Sequence, residues 1–264
     1  MLEQIILGII QGITEWLPIS SEGMIILTKT TFFKDPGSLD TMIQEAIFLH
    51  LGSLLAALIY FRKDVALLCQ SLLQYKKADP ENQKTLIFLV IATFISGTIG
   101  IGLLKLLSLF TGLFTSKLKF ITLIVGLCLL VTAYLELRSS KSGHRSAKDL
   151  TLRDGILLGI AQGFSALPGL SRSGLTVSVL LLSNFDKGAA LRLSFLMSIP
   201  IILAGNIVLN ARNFAFSPEL LVGLFFSFIL GISTIHGLLK LAQKINFGYF
   251  VLFFGLLTIA AAFL

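Results

Sequence analysis

The chain has 264 residues, of which 55% are hydrophobic and 13% charged, and its mean hydropathy is +0.90. A soluble domain of this size needs far more charge to cover its surface. The net charge of +7 does not point to nucleic acid, because no basic stripe interleaved with aromatics lies on a polar face.

In chain order, the N-terminus shows no basic leader region or cleavage site, so no removable signal peptide is expected. Leu2 to Leu27 is apolar but broken in its middle by Pro, Gly and Ser, too irregular for a span. Three spans follow: Ile43–Phe61 (broken by Glu45), Leu86–Phe110 (with Lys105 near its end) and Phe120–Leu135. Ile156 to Leu182 is a second broken stretch. A fourth span begins near Leu193 within Asn184–Asn210. Leu220–Leu239 carries no formal charge over twenty residues, and Phe247–Leu264 none over eighteen. Each is long enough to cross roughly 30 Å of hydrocarbon as a helix. Nothing alternates as β-barrel strands would.

Several residues read as structural. Cys69 and Cys128 lie far apart in apolar surroundings and are expected to pack, with no disulfide or metal pairing. His144 reads as a loop residue, and His236 as a helix-packing one. Trp16 is expected to pack beside the first break. Gly97-x-x-Gly-x-Gly102 follows no strand, so it reads as close helix packing and not as a nucleotide fingerprint.

Six crossings place the loops after the first and third spans on one side, with Lys187 and Arg192 before the fourth and Lys240 and Lys244 after the fifth. That face holds fourteen basic residues, against six on the other: Lys29, Lys34, Lys105, Lys117, Lys119 and Arg212. The richer face, which includes Lys141, is expected to be cytoplasmic. Arg172 belongs to neither.

An internal repeat accompanies the two broken stretches. Gly8-Ile-Ile-Gln11-Gly12-Ile-Thr14 matches Gly159-Ile-Ala-Gln162-Gly163-Phe-Ser165. Leu17-Pro18 then matches Leu167-Pro168, and Ser20…Gly23 matches Ser171…Gly174. Irregular backbone at membrane depth survives only where protein or water satisfies its polar groups. The expected fold is therefore an all-α polytopic membrane protein of two inverted-topology repeats, each a re-entrant broken helix plus three transmembrane helices. One membrane domain, 1–264, would divide into a first repeat (1–137), a basic cytoplasmic loop (138–153) and a second repeat (154–264). Folds of this kind place a site near the midplane, where half-helix ends meet.

Pro18 and Pro168 are each expected to end a first half-helix. Ser20-Ser21 and Ser171-Arg172-Ser173 would then open the second half-helices, whose positive ends suit an anion. The serines could equally be plain helix caps. Arg172 argues for more, because charge at membrane depth is costly and usually functional. Its natural partner is Glu15. The pair is either a structural lock between repeats or a phosphate clamp beside a carboxylate that acts as base or metal ligand.

The segment from Gln11 to Gly23 (QGITEWLPISSEG) resembles the first signature of the undecaprenyl-diphosphate phosphatase (bacitracin-resistance) family. Pro168-Gly-Leu-Ser171-Arg172-Ser173-Gly174 resembles its second. His50–Ala56 and Ser194–Pro200 also fit the family's spacing, so the similarity runs along nearly the whole chain. The resemblance implies a multi-pass cell-membrane hydrolase that releases phosphate from a polyprenyl diphosphate and recycles the monophosphate carrier used in cell-wall building. It points to Glu15, Ser21 and Arg172 as catalytic residues, with Ser20, Ser171, Ser173, Gln11, Glu22 and His50 around the substrate.

Two departures stand out. The bacterial pattern has Glu where this chain has Gln11, and His where it has Met24. They bear on the divalent cation, Mg2+ or Ca2+, that the resemblance implies, for which Glu15 is the ligand that remains. Glu22 or His50, with Glu45 five residues before it, are the candidate replacements. The departures suggest an archaeal-type branch. Expected partners are the lipid and the membrane, with a homodimer compatible and nucleic acid excluded.

The competing function is a polyprenyl-phosphate transporter or flippase, since inverted repeats around a midplane site also build alternating access. A third is an inactive relative that binds the lipid phosphate.

Overall fold

A computed structural model describes residues 1–33, 37–112, 117–139, 143–210 and 217–263. Lys34, Lys141, Arg212 and Leu264 lie outside the described residues. Eleven α-helices are present among those described: α1 (Leu2–Thr14), α2 (Ser21–Phe32), α3 (Leu39–Tyr60), α4 (Arg62–Leu73), α5 (Pro80–Gly112), α6 (Lys117–Arg138), α7 (Leu152–Phe164), α8 (Arg172–Leu182), α9 (Lys187–Gly205), α10 (Pro218–Lys244) and α11 (Gly248–Phe263). Their only β-type pairing is an isolated bridge between Arg145 and Phe185.

The protein is an all-helical polytopic membrane protein. Five helices (α3, α5, α6, α9 and α10) are long and apolar enough to cross a bilayer. Large apolar side chains such as Val90, Phe94 and Phe253 face outward, while Gln11, Ser53, Thr132, Ser194 and Ser227 are fully or almost fully buried. This inversion of the soluble pattern is what lipid selects for.

The sixth expected span is shorter than the uncharged run. Asn246 accepts the Gly248 N–H at 2.9 Å and turns the chain, so α11 starts at Gly248 and has 16 residues. That is about 24 Å of helix. The fourth span starts earlier than Leu193, because the Asp186 carboxylate caps the N–H groups of Gly188 and Ala189.

Both broken stretches fold back. α1 and α2 return to one level, where the buried Lys29 ammonium meets Glu3 at 3.1 Å and also pairs with Glu45 of α3. α7 and α8 do the same at the other end: Arg145 binds Asp154 of α7 at 2.6 Å and the Ser183 carbonyl after α8 at 3.0 Å. That end also gathers Lys84 on the Lys148 carbonyl (2.7 Å) and the pair of Arg192 with Asp64. In the adjoining loop the Ser146 N–H and hydroxyl both donate to Asp149 and hold its carboxyl below the usual carboxylate range.

Glycines set two close helix contacts. A Cβ on Gly8 would lie 2.2 Å from the Gly223 carbonyl oxygen, and one on Gly12 would lie 2.6 Å from that of Ser227. α1 and α10 therefore run side by side in the same direction. Gly159 and Gly163 meet Ile95 and Ile99 in the same way, which sets α7 parallel to α5. Small residues permit such approaches in membranes.

Other expectations need correction. The first half-helices end at Thr14 and Phe164, four residues before Pro18 and Pro168, and turns carry the chain onward. Cys69 is exposed on α4 and is not a packing residue. His236, though exposed, does join two helices as expected, since it bonds the Tyr60 hydroxyl of α3 at 2.9 Å. In the Gly97–Gly102 motif only Gly100 packs closely, against Ala166, whereas Gly102 has open space around it.

Candidate active site

The two breaks meet in the interior. Ser20 adopts φ +63° and caps α2 by accepting the Gly23 N–H at 3.2 Å. A non-glycine residue in that region is strained, and the cap offsets part of the cost. In the second break Gly169 has φ +96°, and a Cβ there would lie 2.5 Å from the Val125 carbonyl, so only glycine fits. Ser171 caps α8 through the Gly174 N–H (3.1 Å). Thr132 of α6 anchors this turn, accepting the Ser171 N–H at 3.1 Å and donating to the Gly169 carbonyl at 3.3 Å. Ser173 donates to the Leu17 carbonyl at 3.3 Å, which ties one break to the other.

Glu15, at the end of α1, is the hub. One carboxylate oxygen pairs with the Arg172 guanidinium. The other accepts the Ser21 hydroxyl at 2.7 Å and the Gln11 amide at 3.0 Å, and it lies 3.2 Å from His50 Nε2. His50 is oriented by its own helix, with Nδ1 2.6 Å from the Ala46 carbonyl, and its Nε2 is 3.5 Å from the Ser21 hydroxyl. Arg172 also donates to the Ser194 carbonyl at 3.2 Å and stacks over the Phe195 ring at 5.4 Å. Its side chain is only 15% exposed. The guanidinium is thus deep, partnered and fixed in direction.

A cavity of about 180 Å³ opens on this cluster. Glu15, Ser20, Ser21, Glu22, His50, Ser171, Arg172 and Ser173 all line it. Gln11 does not. It is fully buried behind Glu15, and its amide bridges that carboxylate to Ser53 at 3.2 Å. It therefore positions the carboxylate and does not face the cavity. Glu45 is also outside the site, held by Lys29. Glu22 reaches the cavity with Oε1 buried and without a partner.

The structure adds residues that sequence reasoning passed over. Ser96, Gln162 and Ser165 form a second polar wall, with the Gln162 amide donating to Ser96 at 3.0 Å. Gln162 and Ser165 stood in the repeat and could have been taken from it. Ser96 carried no signal. Beyond them the cavity becomes apolar, bounded by Ile43, Ile101, Leu104, Ile201 and Val208. Charge at one end and hydrocarbon at the other suit an amphiphile with an anionic head.

A family model described as "Bacitracin resistance protein BacA" matches residues 4–260. The chain belongs to this family. Curated relatives agree along the whole length. An undecaprenyl-diphosphatase of Methanococcoides burtonii is 41% identical over 270 residues, covering 99% of this chain and 98% of that protein. One from Methanothrix thermoacetophila is 36% identical, covering 98% and 96%, and undecaprenyl-diphosphatase 2 of Halalkalibacterium halodurans is 34% identical, covering 95% and 92%. The expected archaeal relatives are among them.

The donor set at Glu15 does not suit a protein-held divalent cation. Such ions take several oxygen ligands, but both Glu15 oxygens already accept from Arg172, Ser21, Gln11 and His50. No group of three His, Cys, Asp or Glu residues able to hold a metal ion occurs among the described residues. Gln11 places an amide donor where a second carboxylate would be needed.

Proposed function

We propose that this chain is an integral membrane phosphatase of the cell membrane that hydrolyses a polyprenyl diphosphate to the monophosphate carrier and inorganic phosphate. The family and the names of its relatives support this substrate class. The observation that carries the chemistry is one carboxylate, Glu15, bonded at once to a serine hydroxyl and to an arginine from the other break.

In this reading the terminal phosphoryl group enters the polar end of the cavity while the prenyl tail lies along the apolar end. Arg172 has five N–H donors, and its contacts with Glu15 and Ser194 leave donors over for phosphate oxygens. The positive ends of α2 and α8, with Ser20, Ser171 and Ser173, add to this clamp. Ser21 attacks the terminal phosphorus as Glu15 takes its proton. The bond from phosphorus to the bridging oxygen breaks, and its electron pair leaves with the polyprenyl monophosphate. Water then displaces Ser21, which recovers a proton from Glu15, and inorganic phosphate departs. His50 orients the carboxylate and lies within reach of the same hydroxyl.

We read the architecture as two inverted repeats. The matched sequence blocks, the two parallel helix pairs and the two hairpins that open at opposite ends all support it. The divisions at 137 and 153 follow from this reading.

Phosphate release from a C55-type diphosphate by the purified, detergent-solubilised protein tests the proposal. Turnover that disappears in Arg172→Ala is the expected result. Wild-type protein that releases no phosphate but moves lipid phosphate between leaflets of proteoliposomes would replace this reading with transport.

A further inference from the structure

A second cavity, of about 160 Å³, lies on the far side of the breaks, at the end where the basic residues gather. Glu136, half a turn before the end of α6, lines it. The residue is 8% exposed, and neither carboxylate oxygen has a hydrogen-bond partner. A buried acceptor pair without protein donors is rare in folded proteins and leaves both oxygens able to accept from a ligand. Glu136 presses on the first turn of α8, since a Cβ on Gly174 would lie 2.7 Å from its Oε1. The Ser139 and Ser178 hydroxyls, bonded to each other at 2.9 Å, form one wall.

Two lysines line the same space, Lys187 at the first residue of α9 and Lys244 at the last residue of α10. Lys244 is exposed and Glu136 is not, so the carboxylate lies deep and positive charge stands at the mouth. A free cation would have to pass the lysines. A simple anion would meet the carboxylate. A zwitterion that enters ammonium first, with a phosphate behind it, satisfies both. The helix ends that carry the lysines put this mouth at headgroup level, where basic side chains meet lipid phosphates.

We propose that this cavity binds the headgroup of a phosphoethanolamine-type membrane lipid. Glu136 accepts hydrogen bonds from the primary ammonium, and Lys244 holds the phosphate. A quaternary ammonium has no N–H to donate, so a choline headgroup is discriminated against. The bound headgroup braces the first turn of α8, next to Arg172.

Native mass spectrometry of the purified full-length protein tests this, with phosphatidylethanolamine, phosphatidylcholine or phosphatidylglycerol added singly. Wild-type protein should retain phosphatidylethanolamine better than the other two by roughly tenfold, the size of a lost charge-assisted hydrogen bond. Glu136→Gln should remove that preference. Lys244→Ala, an exposed change that the fold tolerates, should weaken retention of phosphatidylethanolamine and phosphatidylglycerol together. Equal retention of the three lipids by wild-type protein, or an unchanged preference in Glu136→Gln, overturns the proposal. So does unchanged retention in Lys244→Ala, or binding governed by added sodium or magnesium without lipid preference.

Discussion

Glu15 and Arg172, 157 positions apart in the chain, form a buried ion pair at the meeting point of the two broken segments. Neither charge is tolerable alone at that depth. Pairing fixes both, and it leaves the guanidinium fork with donors that a phosphate can use.

Arg172→Ala should therefore fail twice. Removing one partner of a buried pair costs about 3–5 kcal/mol because the other charge is stranded. Loss of the clamp should lower turnover by at least ~100-fold. Thermal unfolding in detergent reads the first effect and phosphate release the second. Arg172→Lys, which keeps the charge but loses the planar fork, should recover stability and little activity.

Ser21 should carry the phosphoryl group between the two chemical steps. Rapid acid quenching of the wild-type reaction with labelled substrate should trap phosphate on Ser21, and Ser21→Ala should trap none. Turnover in Ser21→Ala at the wild-type rate would reassign the attack to water.

Gln11→Glu should create a dependence that wild type lacks. The amide now donates to Glu15 at 3.0 Å, and a carboxylate there would instead oppose a like charge. A divalent ion relieves that opposition and takes oxygen ligands from both. Chelator should leave wild-type turnover intact and depress that of Gln11→Glu, with Mg2+ or Ca2+ restoring it.

Two alanine substitutions should separate in sign. Gly8→Ala forces a methyl into the Gly223 backbone and should destabilise the protein by about 1–3 kcal/mol, as overpacking does. Gly102→Ala meets nothing within 4 Å and should gain about 0.5–1 kcal/mol from helix propensity. Melting temperatures of the two variants check both.

The spans and breaks were legible because lipid leaves few alternatives. Long uncharged runs cross, and Pro, Gly and Ser at membrane depth interrupt. The Glu15–Arg172 pair was legible for the same reason, since a charge inside apolar sequence needs a partner. The place of Gln11 was not. Residues 11 and 15 share a helix face, but whether that face meets the cavity or the wall behind it depends on α3, which supplies Ser53. Glu136 was hidden for a different reason. A charge near the end of a span normally reaches water, and only the packing of α6 against α8 turns this one inward. Phe195 beneath Arg172 comes from α9, whose apolar residues give no sign of which one meets a cation.

The contact of α1 with α10 has a consequence for biogenesis. α1 leaves the ribosome long before α10, which carries its glycine-lined neighbour. Gly8 and Gly12 have no native surface to close against until residues 223–231 have been made and inserted. The N-terminal hairpin must wait, held by Lys29, Glu3 and Glu45, while most of the protein is threaded into the bilayer beside it. Completion of the catalytic chamber is thus a late event in synthesis, and chains cut short before α10 should be cleared by quality-control proteases and not accumulate as partly active fragments.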